Sequence, residues 1–138
     1  MKTDFPAKES AILVSFEVHG FDVDPDEISR MLQLKPTFVE RKGAKSGKSA
    51  IVAKANSWTI ESDLEDEFDA DEHIQELIGK LKNFGQLNKL KGMWNGQFNC
   101  AVSIVGDDKR PYLGLSPSTM KSMGEMGCGF DVEYFVSK

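Results

Sequence analysis

The chain has 138 residues, of which 40% are hydrophobic, and a formal net charge of −5 at neutral pH. This length suits a single core, so residues 1–138 are expected to form one domain. The negative charge disfavours nucleic acid and anionic membranes as partners, because both attract positively charged proteins. No apolar run approaches the length of a membrane span, and the N-terminus has no signal-peptide pattern, which predicts a cytoplasmic protein.

The first predicted elements are a strand and a short helix. Between residues 12 and 19, apolar and polar positions alternate with the two-residue period of a strand that buries one face. The apolar positions are Ile12, Val14, Phe16 and Val18. Asp24 then provides an N-cap oxygen and Pro25 suits the first helical position, which predicts a helix that ends near Pro36.

Two strands and a second helix follow. Residues 37–42 and 57–62 have strand patterns on either side of a loop rich in Gly, Lys, Ser and Ala. Asp69 and Glu72 have the spacing of a capping box, which predicts the start of an amphipathic helix. The apolar stripe of this helix consists of Ile74, Leu77, Ile78 and Leu81.

The remaining pattern predicts a strand around Cys100, a helix beginning at Ser116 and Pro117, and a last strand over 130–136. The resulting order is β-α-β-β-α-β-α-β. Strands with one apolar face and helices with one apolar stripe predict an α+β fold, in which helices cover one face of a mainly antiparallel sheet of about five strands. The order favours a ferredoxin-like core with an added α-β unit.

Several motifs in this order carry a family resemblance. They are Asp-Pro-Asp-Glu-Ile at 24–28, Leu-Lys-Pro-Thr at 34–37, Arg-Lys-Gly at 41–43, Ser-Trp-Thr-Ile-Glu-Ser at 57–62 and Leu-Gly-Leu-Ser-Pro at 113–117. Together they resemble a family of small bacterial single-domain proteins that is known only as a domain of unknown function. The resemblance implies a bacterial protein and supplies no catalytic residues, and the segment 124–129 departs from the family pattern.

The most unusual feature of the sequence is the acidic segment, residues 61–76. It contains nine carboxylates and neither Lys nor Arg, whereas residues 35–54 are basic. Because solvated carboxylates repel one another, so dense a run indicates a surface that faces a cationic partner. We therefore predict a non-catalytic protein-binding module with a basic protein partner, by analogy with an immunity protein that neutralises a bacterial toxin. The predicted partner-binding residues are Glu61, Asp63, Glu65, Asp66, Glu67, Asp69 and Asp71.

Two alternative functions stay open at this point. The first is a sensor or enzyme for a small anionic ligand, bound between the sheet and the 42–54 loop by Arg41, Lys42 and Lys48. The second is a structural domain that associates with its own copies through an exposed sheet edge.

Other apparent motifs fail on spacing. The glycine-rich segment 43–49 has three residues between its glycines where a phosphate-binding loop needs four. Calcium-loop patterns begun at Asp22 or Asp63 place Glu27 or Phe68 where glycine is required. No cofactor or metal is therefore expected. The two histidines, at positions 19 and 73, match no catalytic pattern and are expected to be surface or rim residues, and no catalytic residue is assigned.

The side of the predicted sheet opposite the helices is polar. We expect it to be solvated or to bind a protein, and carboxylates paired in a cleft would permit acid-base chemistry. The residues that the two-residue period assigns to this side are Glu17, Thr59, Glu61, Asp131 and Glu133.

Overall fold

The computed structural model describes residues 11–45, 51–65, 68–106 and 112–137. Its elements follow the predicted order, with a 3-10 helix added before the fourth strand. The strands are β1 (Ala11–His19), β2 (Phe38–Glu40), β3 (Ser57–Glu61), β4 (Asn95–Val105) and β5 (Gly129–Ser137). The helices are α1 (Pro25–Leu32), α2 (Ala70–Lys80), the 3-10 helix (Phe84–Lys89) and α3 (Pro117–Met126). The predicted α+β class is confirmed.

The five strands form one open sheet in the order β2-β3-β1-β4-β5. The pairs β2–β3, β3–β1 and β1–β4 are antiparallel, but β4 and β5 are parallel. The sheet is therefore mixed, and the prediction of a mainly antiparallel sheet is corrected. The reason is the connection through α3, which returns the chain to the starting end of β4, so that β5 joins β4 in the same direction.

One face of the sheet carries the hydrophobic core. The apolar positions of β1 predicted from the two-residue period are all buried there, in contact with the apolar stripes of the helices. Helix α1 contributes Ile28 and Leu32, α2 contributes Ile74 and Leu77, and α3 contributes Met123. These helices thus pack against the same face, because each has a single apolar stripe to remove from water.

The helices begin and end where their terminal residues satisfy free backbone groups. Asp24 accepts a hydrogen bond from the Asp26 amide at 2.9 Å and begins α1, as predicted. Ser116 accepts from the Thr119 amide at 3.2 Å and begins α3. Helix α3 ends at Met126 and is capped by Gly127, whose φ of 69° is a left-handed conformation that favours glycine.

Trp58 joins the sheet to α1. Its side chain lies in the core with 0% exposure, and the indole Nε1–H donates a 2.9 Å hydrogen bond to Ser29 Oγ on α1. A buried indole needs such a partner, because an unpaired N–H inside a protein has lost its hydrogen bond to water. This contact fixes the position of α1 against β3.

We expect Ser29→Ala to lower the free energy of unfolding by about 1–3 kcal/mol, because it leaves the buried indole N–H without an acceptor. In a Trp58→Phe background the same substitution should cost clearly less, since that background lacks the donor. Chemical denaturation of the four proteins in this double-mutant cycle measures the difference. Equal costs of Ser29→Ala in both backgrounds would show that the hydrogen bond contributes nothing.

Candidate functional site

The acidic segment begins where β3 ends, at one end of the sheet. The amide of Ser62 donates to the Val14 carbonyl at 2.9 Å, so contact with β1 continues one residue beyond β3. The register of the sheet brings the end of β3, the start of β1 and the ends of β4 and β5 to this same end. Helices α2 and α3 also begin at this end of the sheet. Their starts are in contact, since Asp71 near the start of α2 accepts a hydrogen bond from Ser116 at the start of α3.

Two of the acidic residues hold the start of α2. Asp69 Oδ1 accepts from the Glu72 amide at 2.9 Å, and Glu72 Oε1 accepts from the Asp69 amide at 3.1 Å. This is the predicted capping box, and it satisfies two amides that the helix leaves free. Asp69, a predicted partner-binding residue, therefore already has a structural contact.

Asp71 ties α2 to α3. Its Oδ1 accepts from the Ser116 amide at 2.8 Å, and its Oδ2 accepts from Gln75 Nε2 at 3.0 Å. Partial burial opposes the charged form, but hydrogen bonds from Ser116 and Thr119 outweigh it and lower the pKa of the Asp71 carboxyl. The charge of Asp71 is thus maintained by contacts that the sequence did not predict.

Lys80, at the end of α2, is the basic side chain that balances part of the acidic segment. It forms salt bridges with Asp63 and, at 3.2 Å, with Glu76 Oε2. Partial burial works against the charge of Lys80, but hydrogen bonds from it to Asp63 and Glu76 prevail and raise its pKa. In the part of the chain that the structure describes, no other basic residue has a salt bridge to the segment.

The remaining predicted partner-binding residues differ in their surroundings. Glu61 is partly buried at the end of β3, and this desolvation raises the pKa of its carboxyl. Glu65 is exposed, whereas Asp66 and Glu67 lie outside the described residues. Binding of a partner by these residues stays a prediction.

The predicted anion-binding residues are not assembled as a free cationic site. Arg41 Nε donates to Asp24 Oδ2 at 3.0 Å, and its guanidinium also contacts Asp26 Oδ1 at 3.3 Å. The hydrogen bond from Arg41 is the main reason that the pKa of Asp24 is lowered. Lys42 is exposed and donates its backbone amide to Asn56 Oδ1, and Lys48 lies outside the described residues.

A small cavity of about 180 Å³ lies beside Arg41. It is lined by Val39, Glu40, Arg41, Ala44, Lys45 and Ala53. The carboxylates around Arg41 offset its charge, and Glu40 adds a further carboxylate to the cavity, so an incoming anion would have to displace existing partners.

The polar residues predicted to share a face of the sheet do so, although not all are solvated. Glu17 stands opposite Thr59 on β3 and Gln97 on β4, and Asp131 stands opposite Asn99. Thr59 is fully buried, against the expectation for a solvated face, and its hydroxyl has no hydrogen-bond partner. Burial also raises the pKa of the Glu17 carboxyl.

His73 is buried, at 3% exposure, so its prediction as a surface or rim residue was wrong. Its Nδ1 lies 2.7 Å from Ser62 Oγ, and its Nε2 has no hydrogen-bond partner. Ser62 Oγ also accepts from the Leu64 amide at 3.2 Å. The sequence held one signal for this burial, because position 73 falls on the helix face of Ala70 and Leu77, at spacings of three and four residues.

The described residues contain neither a metal site nor a membrane span. No group of three or more His, Cys, Asp or Glu side chains in 11–45, 51–65, 68–106 and 112–137 is arranged to hold a metal ion. Within the same ranges, no helix has the length and apolar character needed to cross a bilayer.

The fold and its polar contacts define the protein as an α+β domain with one mixed five-stranded sheet. The chain belongs to the family described as a domain of unknown function, DUF4279, which it matches over residues 9–137. The resemblance to a family of unknown function is thereby confirmed. No significant match is found among curated proteins or among solved structures.

We expect Asp71→Asn to lower the free energy of unfolding, because the neutral amide accepts the Ser116 hydrogen bond less strongly. The loss should be only about 1 kcal/mol, since the site is screened by water. Glu65→Gln makes the same chemical change at an exposed position and should have little effect. Thermal or chemical denaturation at neutral pH compares them. Equal stabilities of the two variants would show that Asp71 does not hold α3.

We expect Glu17→Gln to stabilise the protein at pH 7, because burial disfavours the charged carboxylate and the amide has no charge. The gain should be less than about 1 kcal/mol, since the group is half exposed. A raised pKa means that the folded state binds the proton more tightly, so the associated stability is lost as pH rises through the folded pKa. The advantage of the variant should therefore vanish below the ordinary value of 4.5. Melting curves across this pH range measure the difference in stability between Glu17→Gln and the wild type, with the exposed Glu133→Gln as control. A difference that did not depend on pH would contradict the proposed cause.

Proposed function

We propose that this domain is a non-catalytic protein-binding module that engages a basic protein through the acidic segment. The observation that carries the proposal is the imbalance of charge in the described part of the segment, where Lys80 forms salt bridges with two of seven carboxylates. The seven carboxylates in that part are Glu61, Asp63, Glu65, Asp69, Asp71, Glu72 and Glu76.

The structural contacts of these residues leave most of their charge available. A carboxylate has about four acceptor sites, and the bonds that Asp69 and Asp71 accept from amides occupy only part of this capacity. Backbone amides and a helix N-terminus stabilise a carboxylate without cancelling its charge. An oppositely charged partner would be attracted over a Debye length of about 8 Å at physiological salt, which speeds capture and adds selectivity.

The residues of the acidic segment then have two different roles, stabilisation of the helices and contact with the partner. Asp69 and Asp71 contribute charge while they hold α2 and α3, so they cannot be varied without a cost in stability. The exposed side chain of Glu65 has no such contact among the described residues, and we propose it as the point of contact together with Asp66 and Glu67. Neutralisation of a basic toxin in the bacterial cytoplasm is the specific form of this function that we propose.

We also propose that the elements from β1 to β4 form a ferredoxin-like core. The strand order β2-β3-β1-β4, with antiparallel pairing throughout and a helix after β1 and after β3, supports this assignment. Helix α3 and β5 are then an addition at the β4 edge. The alternative of an anionic-ligand site has less support, because Arg41 is already paired with Asp24 and Asp26.

A pull-down from the lysate of the source cell tests the proposed function. The test variant changes Glu65, Asp66 and Glu67 to their amides and leaves the residues that hold α2 and α3 intact. The wild type should retain a basic protein at low salt and release it at high salt, and the test variant should retain clearly less.

A matched control changes three exposed acids elsewhere, Asp22, Asp26 and Glu125, to amides, with the same change in net charge. It should retain the partner as the wild type does. Equal losses in the control and test variants would show that the effect depends on net charge alone. Undiminished capture by the test variant would show that Glu65, Asp66 and Glu67 are not the point of contact.

A further inference from the structure

Strand β5 lies at one edge of the sheet. It has nine residues and, in the part of the chain that the structure describes, no strand beyond it. Natural sheets commonly protect such edges with short strands, with charged side chains, above all Lys, or with Pro. The opposite edge follows this rule, since β2 has only three residues. By contrast, β5 has nine residues and contains no Pro, Lys or Arg within Gly129–Ser137; its charged residues are Asp131 and Glu133.

The second half of β5 combines this edge with exposed apolar side chains. Tyr134 is 56% exposed and Val136 is 73% exposed, and Phe135 between them is also exposed. The positions opposite Tyr134 and Val136 on β4 are Val102 and Ile104, which are buried in the core. The core face of the sheet therefore continues onto β5 as an apolar strip that is not fully covered.

The hydrogen bonds to β4 show which backbone amides and carbonyls of β5 point to the open edge. The Gly106 amide donates to the Ser137 carbonyl at 2.7 Å, so the polar backbone groups of Ser137 face β4. Successive residues of a strand direct these groups to opposite edges. The amide and carbonyl of Val132, Tyr134 and Val136 consequently point away from β4, toward an additional strand.

We propose that the partner of this edge is a second copy of the chain, whose β5 pairs antiparallel with the first about a two-fold axis at Tyr134. The two sheets then form one continuous sheet of ten strands. This inference does not depend on the proposed capture of a basic protein, which uses a different surface.

The charged side chains of β5 favour this register over the alternatives. Pairing centred on Glu133 would set that carboxylate against its own copy, and pairing centred on Val132 would set Asp131 against Glu133, both of which are repulsive. Pairing centred on Tyr134 sets Glu133 against Phe135 and Asp131 against Ser137, so each carboxylate meets an uncharged residue. Among the registers that avoid like charges, this one also pairs the most residues, because all of 131–137 take part.

The same register pairs the apolar strip with itself. Tyr134 faces Tyr134 of the partner subunit, and Val132 faces Val136 of the partner subunit, so the exposed side chains of the core face cover one another. A two-fold contact requires such self-complementarity, because the same patch forms both halves. One pair of strands makes a small interface, so dimer formation should depend on concentration.

Light scattering after size exclusion, over a wide range of concentration, tests the dimer. The wild type should approach twice the 15.3 kDa mass of one chain as concentration rises. Tyr134→Lys, which brings two positive charges together at the axis, should stay monomeric. Met93→Lys adds the same charge at another exposed apolar residue, 86% exposed and outside β5, and should dimerise as the wild type does. A wild type that is monomeric throughout would overturn the proposal.

Oxidative cross-linking tests the register without a charge at the interface. Cα atoms of a hydrogen-bonded antiparallel pair are about 5.5 Å apart, which suits a disulfide. Tyr134→Cys should therefore give a covalent dimer, whereas Val136→Cys should not, since its own copy would lie more than about 13 Å away along the strand. The wild type is a suitable background, because burial raises the pKa of both native thiols, Cys100 and Cys128, to about 11. Preferential cross-linking of Val136→Cys would refute the register.

Discussion

The structure depends on the apolar face of β1, which lies in the middle of the sheet between β3 and β4. Val14, Phe16 and Val18 are fully buried on that face, and the apolar stripes of α1 and α2 join the same core. Removal of this face from water favours packing of the helices on one side. Polar contacts then orient the parts, as the hydrogen bond from Trp58 to Ser29 does for α1.

The acidic segment joins structural and proposed functional roles in one stretch of chain. Carboxylates near a helix N-terminus are stabilised by free amides and by the helix dipole, so a dense acidic run is tolerated where α2 begins. Asp71 extends this role to α3. A binding surface built on such residues is held rigidly, but it can vary less freely than a surface of solvated side chains, because some substitutions would also loosen the helices.

The added unit of α3 and β5 changes how the sheet can be used. Without it, β4 would be the edge of the sheet, and its buried residues Cys100, Val102 and Ile104 would have a neighbouring strand, β1, on one side only. Strand β5 supplies that neighbour and transfers the exposed edge to a strand with fewer buried side chains. Its first half packs on the core through Phe130 and Val132, while Tyr134 and Val136 remain exposed. The proposed dimer uses this exposed half.

The sequence by itself determined the order of the elements, the buried positions of β1 and the starts of the helices. These features depend on local periods and on capping residues such as Asp24, Asp69 and Ser116, whose partners lie within a few residues. Only the tertiary structure decided the parallel pairing of β5, the contact of His73 with Ser62 and the pairing of Arg41 with Asp24. Each of these joins residues distant in the chain, and such contacts leave no periodic signal because chain topology, rather than local sequence, brings the two partners together.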